Sequence, residues 1–248
     1  MHVAPIQVPI RGKAFIEREA DLLLKDYANE IGSKIEGAIP VEDIAQYHLC
    51  LRLEFADLYD VLDLPRYGGA PDILGAMFFE HSAILIDERL NPEVYPEQLG
   101  RYHFSLAHEV GHWRLHREIM ARRRGVNADQ PAFICRQSQA TTVPVEWQAE
   151  TFASYLLLPR ERVLKEWSAL RASAEPFTFD VNSHGSPALR KLWFGLASDG
   201  VEARRLFARE CAGLFDKIAA DLAKIFEVST PAMRVRLEGL KLLQRVRR

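Results

Sequence analysis

The chain has 248 residues and a formal net charge of -2, a length that suits one large domain or one domain with a smaller appendage. A composition 48% hydrophobic and 27% charged excludes a disordered polymer, and the balanced charge gives the whole molecule no electrostatic case for nucleic acid or membrane. Three cysteines at irregular spacing, Cys50, Cys135 and Cys211, argue against a disulfide framework.

Residues 13–31 place Phe15, Ala20, Leu23, Leu24 and Tyr27 on one stripe, which predicts an amphipathic helix. After a Gly37–Pro40 break, Val41 to Leu49 reads as a short helix, with Pro40 at its start and Glu42 and Asp43 in its first turn. Three segments then have strand character: 51–55, 73–80 and 82–88, the last two joined at His81-Ser82 in an expected hairpin. A small antiparallel sheet of at least three strands follows from them. A helix is expected from about Pro96 to His116, and residues 121–144, with Gly125, Pro131 and Pro144, read as an irregular connector. Val145 to Leu158 is a helix stopped by Pro159, and Glu161 to Ala172 another. The Ser, Pro, Gly and Asn content of 173–190 marks a domain boundary. The expected division is a domain over 1–172, a linker over 173–200 and a helical region over 201–248. No leader pattern and no apolar run of the ~20 residues that cross a bilayer is visible, so the chain is expected to be cytoplasmic, without a membrane partner.

The chemistry sits in His108-Glu109-Val110-Gly111-His112. Four residues make just over one helical turn, so His108 and His112 stack on one face and can share a tetrahedral ion. Glu109 lies ~100° round from His108, near the ion but not on it, where it can take a proton from an activated water. A catalytic zinc wants a third protein ligand and one open position. The next helix offers Glu146 and Glu150 on a shared face, with Ala149 and Ala153 on another, small enough for a close helix approach. Glu146 is read as the ligand and Glu150 as an acceptor for a ligand histidine's other N–H; the reverse assignment stays open.

The phrases RYHFSLAHEVGHWRLH (101–116) and EWQAETFASYLLLP (146–159) resemble the ImmA/IrrE family of metallo-endopeptidases, and the likeness extends over roughly residues 15–160. The resemblance implies an α+β, zincin-like domain with zinc on His108, His112 and Glu146, and Glu109 as catalytic base. Leu158 stands where methionine is commoner in the family, a change without chemical consequence. The resemblance also implies a protein substrate, since family members of known role cut a partner transcriptional repressor.

Other residues have plainer readings. His116, one turn beyond His112, would close the site as a fourth ligand, so a core or ligand-supporting role is expected. His103 falls off the ligand face and reads as structural. His81, His184 and Tyr155 are remote candidates for an oxyanion stabiliser. Cys135, in the connector, could occupy zinc's open position and keep the enzyme latent; the plainer reading is an inert buried thiol. Cys50 and Cys211 read as core. Arg114, Arg117, Arg122, Arg123, Arg124 and Arg136 follow the motif, and Arg245, Arg247 and Arg248 end the chain; a solvated face and a frayed tail are expected.

Residues 218–243 resemble a helix-turn-helix, with Ile218, Leu222 and Phe226 inward, Ser229 capping the second helix, and Arg234 and Arg236 upon it. That leaves two competing classes beside the peptidase. One is a DNA-binding regulator with a vestigial peptidase domain. The other is a structural zinc protein with Cys135 or His116 as fourth ligand. Neither needs Glu109.

Overall fold

The computed structural model describes residues 8–66, 72–122, 133–136, 144–194 and 200–246. The chain divides into two compact units, Met1–Pro159 with Phe226–Val228, and Arg160–Ile225 with Ser229–Arg248.

The first unit is α+β. Helix α1 (Lys13–Ile31) buries Ile16, Ala20, Leu23, Leu24 and Tyr27, and Gly32 ends it in the left-handed conformation, its N–H returning to Asn29. Ile16, rather than Phe15, starts the buried stripe; Phe15 is half-buried beneath the guanidinium groups of Arg11 and Arg18. Helix α2 (Val41–Asp43) runs into a π-helical turn, Ile44–His48, so the expected short helix is present but wider-wound at its end. Cys50 follows, exposed and at φ +54°, not in the core. Its place at the end of a π-turn turns it to solvent despite apolar neighbours.

Strands β1 (Arg52–Ala56), β2 (Ile73–Phe78) and β3 (Ala83–Asp87) form where alternation predicts them, and α3 (Leu58–Val61), capped by Asp57, follows β1. The β2–β3 hairpin turns through Ser82, at φ +46°. The sheet is mixed rather than antiparallel. Its order is β1-β3-β2-β4, and β1 lies parallel to β3 because the chain passes through α3 and β2 before β3 pairs with it. The fourth strand, β4 (Phe133–Arg136), pairs antiparallel with β2 from within the stretch expected to be irregular. Partners supplied by β2, which local propensity does not report, make it a strand.

A 3₁₀ turn at Pro96–Gln98 leads into α4 (Leu99–Ala121), which runs beyond His116. Helix α5 (Pro144–Leu157) crosses α4 closely and also packs on α1. At the crossing a Cβ on Gly111 would lie 3.1 Å from the Ala149 carbonyl oxygen and 3.2 Å from the Ala149 Cα. Small residues on both faces thus set how near the two helices come. Tyr102 donates to Glu42 and Arg114 to Glu19, tying α4 to α2 and α1.

The second unit holds α6 (Arg160–Arg171), β5 (Phe177–Phe179), α7 (Val181–His184), α8 (Pro187–Phe194), α9 (Val201–Ile225), α10 (Thr230–Gly239) and β6 (Leu243–Arg245), with β5 and β6 parallel. The division falls after Pro159 rather than near residue 172, and β5, α7 and α8 occupy a stretch read as linker. Its polar residues serve as caps: Asp180 caps α7 and Ser186 Oγ accepts from the Leu189 N–H of α8. No helix among the described residues is long and apolar enough to cross a membrane.

Candidate metal centre

Helix α4 carries His108, Glu109, His112 and His116 on its buried side, and α5 brings Glu146 to them. The Nε2 atoms of His108 and His112 lie 2.9 Å apart, and Glu146 Oε2 lies 3.1 Å from the first and 3.6 Å from the second. Bonds of ~2.0–2.1 Å at tetrahedral angles put ligand atoms ~3.3 Å apart. The triangle brackets that value, so these three side chains fit a tetrahedral ion. Two imidazole nitrogens and a carboxylate oxygen converging on one point would otherwise share too few protons to satisfy three lone pairs. Burial pushes the Glu146 carboxyl up, but the His108 and His112 rings beside it outweigh burial and hold the group below the ordinary carboxylate range.

Glu109 supplies a second, independent mark of a missing charge. Its side chain is 0% exposed and neither carboxylate oxygen has a hydrogen-bond partner among the described residues. Burial, and then the nearby Glu146 charge, push its pKa well above the ordinary value. An isolated buried carboxylate is costly, and a dication held by the neighbouring triangle offsets that cost and restores the basic form. Glu109 fits there because β2 offers no side chain: a Cβ on Gly75 would sit 2.9 Å from Glu109 Oε1.

The support of His112 also shows. If Nε2 faces the ion, Nδ1 carries the proton, and its neighbour at 3.2 Å is His116 Nδ1. His116 thus accepts from His112 and fixes its tautomer. Burial lowers His112 to about 4 and His116 to about 3, so both rings are neutral, as ligation and this hydrogen bond require. Phe133 of β4 stacks on the His112 ring with centroids 4.2 Å apart and planes 12° from parallel. Among these groups Glu146 is the accessible one, its side chain 23% exposed against 6% for His108 and 0% for His112, which places the opening on its side.

The structure therefore brings His108, Glu109, His112 and Glu146 together and puts His116 where it supports His112. Glu150 makes no hydrogen bond to either ligand histidine among the described residues; His116, on the same helix as His112, takes that position. Cys135 is buried on β4, and its Sγ, a ring nitrogen of His108 and a carboxylate oxygen of Glu109 lie within 4.8 Å of one another. Burial, then the carboxylates Glu109, Glu146 and Glu150, push its thiol well above the ordinary range. His81 is exposed at the hairpin, and His103 donates to the Glu227 carbonyl. In the second unit His184 Nδ1 accepts the Asp180 N–H. Gly75 and Phe133 do not stand out in the sequence. Their roles depend on which strand lies beside α4, and only the lack of a side chain at Gly75 hints at a close approach.

Further along the chain Ser229 caps α10, and Leu222 and Phe226 are buried as expected for a helical pair. Arg234 donates to both oxygens of Asp216 at 2.9 and 3.0 Å, and Arg236 is only 6% exposed. The two arginines read as DNA contacts are thus engaged internally. Arg245 likewise pairs with Glu238, while Arg123, Arg124, Arg247 and Arg248 lie outside the described residues.

No curated protein matches the chain. The family model described as IrrE N-terminal-like domain, of the Peptidase M78 family, matches residues 83–183. The match begins after β2, unlike the resemblance expected from residue 15, and runs past Pro159 into the second unit. It contains all of His108, Glu109, His112, His116, Cys135 and Glu146, so the stretch that carries these residues is similar to an IrrE N-terminal-like domain.

Proposed function

We propose that the chain is a zinc-dependent endopeptidase that hydrolyses a peptide bond in a protein substrate. The observation that carries this reading is the wholly buried Glu109 carboxylate, unpartnered among the described residues, beside a set of two histidines and one glutamate that fits a tetrahedral ion. A structural zinc site has no use for a further, non-ligating acid held in a dry pocket. His108, His112 and Glu146 would hold the ion, which when bound polarises the scissile carbonyl and makes water acidic enough to be deprotonated near neutral pH. Glu109 takes the proton of the attacking water and delivers it to the leaving amine. His116 keeps the His112 proton on Nδ1, leaving Nε2 free for the ion. By family resemblance the substrate is a regulatory protein such as a transcriptional repressor.

The test is to incubate zinc-loaded protein with a proteome-derived peptide library and read new termini by mass spectrometry. Wild type should generate them, and Glu109→Gln should bind zinc equally yet cleave at least about 10²-fold more slowly, as loss of a general base entails. Undiminished cleavage by Glu109→Gln sinks the mechanism.

A further inference from the structure

We propose that Cys135 is a fourth metal donor, whose sulfur closes the His108–His112–Glu146 site into a latent four-coordinate state and must leave before water can enter. The inference rests on the metallopeptidase reading and assigns a regulation to that same site.

Three observations carry it. Cys135 Sγ lies within 4.8 Å of a His108 ring nitrogen and a Glu109 carboxylate oxygen. Zinc takes sulfur at ~2.3 Å, which in a tetrahedron puts sulfur ~3.6 Å from a nitrogen ligand, so Cys135, grouped with His108 and Glu109, must swing toward His112 and Glu146 to complete the bond. Next, the Glu109 oxygens are fully buried and, among the described residues, unpartnered beside the thiol, a ready acceptor for its proton. Last, Cys135 sits on an edge strand with an irregular register. Among the described residues β4 lies at one edge of the sheet and pairs with β2 alone, and its register with β2 shifts between Ile73 and Gly75, where Gly75 opposes Cys135. Irregularities of this kind re-aim side chains beside active sites.

On closing, the S–H bond of Cys135 breaks, its proton passes to the Glu109 carboxylate, the sulfur–metal bond forms and the water at that position departs. Opening reverses each step: Glu109 returns the proton to sulfur, and water takes the position. The closed state therefore occupies the base as well as the open site, which makes latency complete rather than partial.

The experiment is absorption spectroscopy of the cobalt(II)-substituted protein, comparing wild type, Cys135→Ala and, as a buried thiol elsewhere, Cys211→Ala. Ligand-field bands in the visible report the metal site, and a near-ultraviolet sulfur-to-cobalt charge-transfer band reports the thiolate. The charge-transfer band should appear in wild type and Cys211→Ala and vanish in Cys135→Ala, with visible bands kept in all three. Visible bands without charge transfer in wild type would overturn the latch while leaving the metal site standing. So would a charge-transfer band that survives in Cys135→Ala. No visible bands in wild type would remove the metal reading itself.

Discussion

Glu109 shows how one residue's surroundings separate a catalytic site from a structural one. Its enclosure between α4 and β2 costs folding energy in the charged form, which a nearby cation offsets. The enclosure depends on Gly75. In Gly75→Ala the new Cβ meets the end of a flexible side chain, so the fold is expected to persist while Glu109 is pushed aside. Zinc content should be unchanged and peptidase activity should fall on the order of 10²-fold, the usual consequence of misplacing a catalytic group by about an ångström. Equal loss of metal and activity would mean that the glycine serves the fold rather than the base.

Among elements, the α4–α5 crossing matters most, because α4 holds the histidines and α5 holds Glu146. Gly111→Ala brings a methyl against the Ala149 backbone, which cannot turn away as a side chain can. The helices must separate, and we expect a stability loss of about 1–3 kcal/mol with weaker zinc binding, read by denaturant titration and competition with a chelator. Unchanged zinc affinity would show that the crossing distance does not set the ligand triangle. Much at this scale was legible in the sequence. The four-residue spacing of His108 and His112 depends only on helical period, whereas the next helix offers both Glu146 and Glu150 on one face and leaves the choice between them open. What escaped was non-local. The direction of β1 and the existence of β4 follow from which strands become neighbours, and with β4 came Phe133 on His112. Cys50 escaped because apolar sequence neighbours do not report a π-helical turn. The stretch read as linker escaped because capping residues and linker residues are of the same types, Ser, Asn, Asp and Gly.

For the whole molecule, two consequences are measurable on the metal-free protein. His112 and His116 have folded values of about 4 and about 3, below the ordinary 6.5 of the unfolded chain. The unfolded state therefore binds more protons across that interval, so their contribution to stability is full above about pH 6.5 and is lost as pH falls toward 4. The thermal midpoint of metal-free protein should drop through this window; a flat midpoint contradicts the burial described for these rings. At neutral pH, zinc should raise the same midpoint, because it binds the folded triangle and not the dispersed chain. The DNA-binding alternative belongs at this scale too. Arg234 is held by Asp216 and Arg236 is buried, so a phosphate backbone would have to compete with Asp216 for the first and expose the second.

The most direct test of the central claim is elemental analysis of wild type and His112→Ala, purified alike and supplied with zinc. About one zinc per wild-type chain, absent from a variant that keeps its helical circular dichroism, is the expected result for a three-residue protein site. A wild type without metal, or a variant that retains it, would contradict the account.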